Sequence, residues 1–212
     1  MELAKEAADL AVRNPFGISQ MNNYRNQNTT YVNFDKLKIN LGSDIIIPGW
    51  LSLLFEREGS GRFSIMDQDN NPTSVNIRVL KNFDSRKANG PKTTSFYAEA
   101  PSPVSQFYFR ANIDKSNENQ PFIQLDNLNP DKKYTLTFIS TVNEEQNNTV
   151  FYILGTKSTR IKVNPSYNKN MDVSVENIKP KNDGTLAIGF SLPKGKDQSI
   201  AVLNGIIISQ QN

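Results

Sequence analysis

Apolar and polar residues alternate in short stretches along most of this chain. In KKYTLTFIST, Tyr134, Leu136 and Phe138 fall on one side while Thr135, Thr137 and Ile139 fall on the other, the two-residue period of an antiparallel strand with one buried face. Similar stretches, among them KLKINL, RFSIMD, SVNIRVL, QFYFRA, TVFYILG, TRIKVN and TLAIGFSL, are separated by clusters of Gly, Pro, Asn and Asp. Short strands at such regular spacing predict an all-β chain folded as a β-sandwich, since a doubly wound α/β chain would need helices between them. SIAVLNGIIIS is apolar on both faces and reads as a central strand. With the turn-forming DGT at 183–185, it predicts a closing hairpin in which Asn204 is a structural hydrogen-bonder. One stretch departs from the two-residue period. In ELAKEAADLAV, Leu3, Ala7, Leu10 and Ala11 recur at helical spacing up to Asn14-Pro15, predicting a short N-terminal helix. The polar ISQMNNYRNQNTT then reads as a linker, so residues 1–35 are helix and linker and residues 36–212 the sandwich.

Composition narrows the chemistry more than the fold. The 212 residues are 37% hydrophobic and 21% charged, near globular norms, and the polar balance comes from 27 Asn rather than from charge. A net charge of +3, with no basic run, argues against a nucleic-acid partner and against an anionic membrane surface. No run approaches the roughly 18 apolar residues that a membrane helix needs. The chain has no His and no Cys. That excludes a Ser-His-Asp hydrolase, the common Zn and Fe ligand sets, thiol catalysis and disulfides. MELAKEAADL lacks the apolar core of a signal peptide, so an exported form implies a leader already removed.

Candidate chemistry lies in the loops and on two strands. MDQDNNPT sets Asp67, Asp69 and Asn71 at alternate positions, the way a loop brings oxygen ligands to Ca²⁺. Without the following Gly and closing Glu of such loops, a plain hairpin turn is the stronger reading, and no other cofactor is expected. KNFDSRKANGPKTTS, residues 81–95, is long for a hairpin and gathers Asn82, Asp84, Arg86, Lys87 and Asn89 beside Phe83. Planar amides, carboxylates and guanidinium groups grip sugar hydroxyls in paired hydrogen bonds while an exposed ring stacks on the pyranose C–H face. A solvated surface loop is the plainer alternative. Trp50, after Pro48-Gly49, is either a core or rim residue or a stacking platform. In QFYFRA, Tyr108 and Arg110 alternate with Phe107 and Phe109, so one pair faces the core and the other faces out. The ligand-binding candidates are therefore Trp50, Asn82, Asp84, Arg86, Tyr108 and Arg110. Glycoside hydrolysis needs two carboxyls about 5 to 9 Å apart across a cleft. Glu56 and Glu58 share a strand edge, Glu144 and Glu145 lie in the solvated turn NEEQNN, and no catalytic residue is assigned. Two Asn-x-Thr sequons, at Asn28 and Asn147, follow from the abundance of Asn.

The order of motifs from KINLGSDIIIPGW through RFSIMDQDNNPTSVNI to SIAVLNGIIIS resembles the galactose-binding-like and malectin-like β-sandwich modules, especially those of Bacteroidetes polysaccharide-degrading systems. The resemblance is carried by Leu128-Asn129-Pro130 to Phe138, by Tyr152 to Gly155, and by Asp183-Gly184 with Leu203-Asn204; Asn40 to Gly42 stands where related modules have D-F-G. It implies a galactose-binding-like jelly roll that is non-catalytic and accessory, binds a polysaccharide or oligosaccharide, forms part of a larger multidomain protein, and is secreted, periplasmic or displayed at the cell surface. A structural or protein-interaction module is the alternative, and a carboxylate-based glycosidase or lyase ranks third.

Overall fold

The computed structural model describes residues 30–54, 61–92, 100–167 and 172–211. The helix expected at 2–12, Glu56 and Glu58, and the end of the 81–95 loop lie outside the described residues. In chain order the strands are β1 (Lys36–Leu41), β2 (Leu51–Leu53), β3 (Phe63–Met66), β4 (Pro72–Val79), β5 (Ser85–Lys87), β6 (Tyr108–Asp114) and β7 (Pro121–Asp126). They continue as β8 (Lys133–Ile139), β9 (Thr149–Leu154), β10 (Ser158–Val163), β11 (Val173–Ile178), β12 (Leu186–Ser191), β13 (Gln198–Leu203) and β14 (Gly205–Gln211). One short helix, α1 (Ser102–Gln106), precedes β6. Sheet A runs β11-β8-β14-β1-β2, sheet B runs β10-β9-β12-β7-β4-β3, and sheet C runs β13-β6-β5. Strands β1 and β2 pair in parallel, and the other ladders are antiparallel. The all-β sandwich expected from the alternation is the fold.

The alternation in β8 places Tyr134, Leu136 and Phe138 at 0% exposure, facing the core. On the other face Thr137 meets Ser174 of β11, hydroxyl to hydroxyl, at 2.7 Å. Phe138 stacks on Phe151 of β9 with ring centroids 4.2 Å apart, which joins sheet A to sheet B. Phe190 of β12 lies against Phe122 and Phe151, and Phe83 reaches Phe109 of sheet C at 4.9 Å. All three sheets therefore share one apolar core.

Tyr134 adds a pH dependence to this core. Its hydroxyl accepts the Asn129 amide at 2.9 Å, and burial raises its phenol to about 12. Burial also pushes Tyr108 up from its ordinary value. The unfolded chain releases such protons near pH 10, whereas the folded chain holds them. Stability is then fully present below about pH 10 and is lost as pH rises toward about 12. Urea midpoints measured across that window should fall steadily, and Tyr134→Phe should flatten the slope.

The closing hairpin does not form. Strand β13 pairs with β6 in sheet C, whereas β14 lies between β8 and β1 in sheet A, so the chain changes sheet at Asn204. The β12 strand that follows Asp183-Gly184 pairs with β7 and β9 instead. The cause is the Asn204 side chain, which is fully buried. Its Oδ1 accepts the Thr141 amide at 2.7 Å, and its Nδ2 donates to the carbonyls of Ser105 at 2.8 Å and Phe107 at 3.0 Å. Its backbone N–H donates to Ile139 and its carbonyl accepts the Leu41 amide, both at 2.9 Å. A single amide thus satisfies the groups that neither ladder reaches at the switch.

Helix α1 was not legible by periodicity, because five residues do not complete two turns; its signal is the Pro within its first turn. It is held against Gly90, whose amide donates to the Gln106 carbonyl at 2.9 Å. A Cβ on Gly90 would stand 1.9 Å from the Ser105 carbonyl oxygen, so only glycine allows this approach.

Candidate functional site

The long loop and sheet C bring several candidates together. Asp84 donates its amide to the Arg110 carbonyl at 2.9 Å, and its carboxylate accepts the Asn112 amide at 2.5 Å. Ladder pairing sets Ser85 opposite Arg110, Arg86 opposite Phe109 and Lys87 opposite Tyr108. Asn82, Asp84 and Arg86 are exposed. Phe83 is not: at 4% exposure it belongs to the core, with Phe109, Phe122 and Phe190 around it. The ring expected to serve as a sugar platform beside this loop is therefore unavailable to a ligand.

Tyr108 and Arg110 do share the face of β6 opposite Phe109, but its Tyr108 end is covered while Arg110 stays half-exposed. Tyr108 is 3% exposed and packs with Val142 and Val202. Burial, then the nearby charge of Glu144, pushes its phenol up, while Arg110 pulls it down. The outward Tyr expected from strand alternation is a buried residue, because the segment that follows β8 lies over it. Trp50 sits apart from this group. It is half-buried against Ile47, Ala100, Val104, Ile139 and Ile207, with the Lys38 ammonium 5.9 Å from its ring centroid. That is the rim reading of Trp50.

The Asp67 turn is complete in itself. Oδ1 of Asp67 accepts the amides of Asp69 at 2.9 Å and Asn71 at 2.8 Å, and Oδ2 accepts the Asn71 side-chain amide at 3.0 Å. The hydrogen bond from the Asn71 side chain is the largest cause holding this carboxyl below its ordinary value. Asp67 and Asn71 thus bond to each other within the turn. Among the described residues no group of three or more His, Cys, Asp or Glu is placed to hold a metal.

A polar groove lies elsewhere, between the segment 143–148 and the turn 164–167. Its lining is Gln146, Asn147, Asn148 and Asn164, with Glu145, Ser166 and an open Tyr167, around about 590 Å³. Its walls are fixed by short-range bonding. The Val142 amide donates to Pro165 at 3.0 Å and the Tyr167 amide to Val142 at 2.8 Å. Ser166 Oγ accepts the Gln146 amide and donates to the Gln146 carbonyl, both at 2.8 Å. Asn143 donates its backbone amide to Asn89 and its side-chain amide to the Gly90 carbonyl, tying the segment to the long loop. Tyr167 projects from this braced turn at 56% exposure, with φ of 48°, a left-handed conformation that a bulky side chain rarely adopts. Glu145 is the one carboxylate in the lining of this groove among the described residues.

A second groove adjoins the first. It is lined by Asn112, Asp114, Gln198 and Ile200 with Ile113 and Ser199, and Asn147 belongs to both grooves. The sequence signals for this region were present but plain. NEEQNN reads as a solvated turn, and the tyrosine of NPSYN sits in a Pro- and Asn-rich turn where nothing in the sequence distinguishes a bare ring from a packed one.

No protein-family model and no curated protein matches the chain. Among solved structures it is similar to the plant receptor-like kinase ANX2, at 13% identity over 82% of this chain and 48% of that one, with a TM-score of 0.50. It is similar to Bacteroides uniformis β-glucuronidase 2 at 13% identity over 84% of this chain and 18% of that one, TM-score 0.48. A family 32 carbohydrate-binding module of C. perfringens NanJ in complex with galactose matches at 10% identity over 64% of this chain and 93% of that one, TM-score 0.31. The chain thus spans about half the length of the plant receptor structure and less than a fifth of the glucuronidase. At such identities the likeness to ANX2 shows the fold alone, an all-β sandwich of the same kind. No helix among the described residues is long and apolar enough to cross a membrane.

Proposed function

We propose that this chain is a non-catalytic carbohydrate-binding domain that holds a polysaccharide or oligosaccharide in the groove between 143–148 and 164–167. The observation that carries this reading is Tyr167, an open ring held in a strained backbone conformation at the edge of a lining made mostly of amides. Amides both donate to and accept from hydroxyls, and a fixed ring supplies the apolar face on which a pyranose stacks. Each hydroxyl exchanged from water to protein gains little net energy, so affinity is modest and depends on the ring. The sequence resemblance adds an exported module of a Bacteroidetes-type polysaccharide-utilisation protein, attached to further domains. Trp50, Asn82, Asp84, Arg86 and Arg110 remain ligand candidates on neighbouring surfaces.

Tyr167→Asn separates binding from folding. Asn tolerates a positive φ better than Tyr, so the variant should melt at or slightly above the temperature of the parent chain. It should also lose roughly three- to tenfold in affinity for retained glycans, as judged by affinity electrophoresis in plant and algal polysaccharides. Retention of no glycan by the parent chain would overturn the proposal. A second reading, a protein-interaction module, is favoured by the turn bearing Ile45 and Ile46, which are 44% and 91% exposed next to Trp50. Under that reading Ile46→Asp impairs partner binding while Tyr167→Asn leaves it intact.

A further inference from the structure

We propose that the two grooves form one continuous cleft, so that the ligand is an uncharged oligosaccharide chain engaged at two or more successive units rather than a terminal monosaccharide. The inference rests on the carbohydrate-binding function proposed above and adds the length and charge of the ligand. Asn147 lines both the groove of about 590 Å³ and the neighbouring one of about 270 Å³, so a chain leaving the Tyr167 side meets the ends of β6 and β13 directly.

The second groove offers the same chemistry in a different arrangement. Ile200 is a half-buried apolar surface on its wall. Gln198 and Asn147 are exposed amides beside it. Ser199 lies between Gln198 and Ile200 on β13, but strand alternation turns its side chain to the opposite face, the one that carries Ala201 and Leu203 into the core. An apolar wall with amides repeats, on a smaller scale, what Tyr167 and the amides supply in the first groove.

Charge selects among chains of that length. Among the described residues, the ionisable side chains that line the two grooves are Glu145, Asp114 and Tyr167. Lys115, next to Asp114 in sequence, is paired with Asp197 at 2.6 Å. Asp114 keeps its negative charge readily, because hydrogen bonds from the Ser116 hydroxyl and amide hold its carboxyl below the ordinary value. A uronate or sulfate would be repelled by the two carboxylates, whereas neutral hydroxyls would not. The cleft is thus acidic on a chain whose net charge is +3.

The test uses the full chain and titration calorimetry with two sets of probes. One set is glucan, galactan and mannan oligosaccharides from the monosaccharide to the hexasaccharide, and the other is oligogalacturonates of the same lengths. The expected result is affinity that rises about tenfold or more from monosaccharide to tetrasaccharide in one neutral series, with oligogalacturonates weaker at every length. Gln198→Ala, at an exposed position that leaves the melting temperature unchanged, should bring the tetrasaccharide down toward the monosaccharide. Glu145→Gln should narrow the gap to oligogalacturonates. A monosaccharide that binds as tightly as its tetrasaccharide would overturn the continuous cleft while leaving the carbohydrate-binding function standing. Oligogalacturonates binding more tightly than every neutral series would overturn the charge selection. No binding of any probe would remove the function and this inference together.

Discussion

Asn204→Ala should cost the domain about 3 to 5 kcal/mol, more than any substitution on its surface. The substitution removes three side-chain hydrogen bonds at once, two of them buried and one part-buried, to the Thr141 amide and the carbonyls of Ser105 and Phe107. Water cannot easily take the place of the side chain, because Asn204 is fully buried. Denaturant midpoints at constant slope would measure the cost. Asn204→Asp is the more discriminating variant. It keeps an acceptor for Thr141 but turns a second oxygen toward two carbonyl oxygens, so the folded chain must carry the proton there. A carboxyl whose folded pKa is raised contributes stability that is present below its unfolded value of about 4 and is lost as pH rises. Asn204→Asp should therefore approach the parent chain near about pH 4 and fall well below it near about pH 7. Equal deficits at the two pH values would show that the amide is not the hinge of the switch.

Phe190→Ala is expected to be of similar size, about 3 to 5 kcal/mol, for a different reason. Phe190 is 1% exposed and lies 5.1 Å from Phe122, 5.6 Å from Phe151 and 6.2 Å from Phe83, ring centroid to ring centroid. Removing it opens a cavity among rings that strands on both sides hold in place, so the site cannot collapse to fill it. For a domain of this size the melting temperature should drop by roughly 6 to 20 °C. Phe190→Leu, which keeps most of the volume, should cost a fraction of that. A Phe122→Ala, Phe190→Ala double variant should fall short of the sum of the two losses, since both open the same space.

These two residues also mark where sequence reading succeeds and where it stops. Phe190, like Tyr134, Leu136 and Phe138, lies on a strand whose apolar character announces burial, and the sandwich follows from repeating that pattern. Asn204 was legible as a hydrogen-bonder within an apolar run. The change of sheet was not, because its cause is a side chain reaching carbonyls about a hundred positions away. Phe83 and Tyr108 fail in the same way. Both sit in segments whose composition reads as a ligand face, and both are buried by parts of the chain that alternation cannot bring to them. The groove was missed for the opposite reason. Polar turns such as NEEQNN and NPSYN are common, and only the hydrogen bonds among Val142, Pro165, Ser166 and Gln146 distinguish this pair from loose surface.

The switch at Asn204 also governs how the domain comes apart. Because one uninterrupted stretch of backbone is an edge of sheet C and then the middle of sheet A, neither sheet can open without straining the other. Amide protons of β13 should exchange with solvent only in the same global events that release those of β14, as one cooperative unit. A ligand held at the end of β13 would then slow exchange deep inside sheet A, so occupancy of the cleft could be read from amides that never touch it.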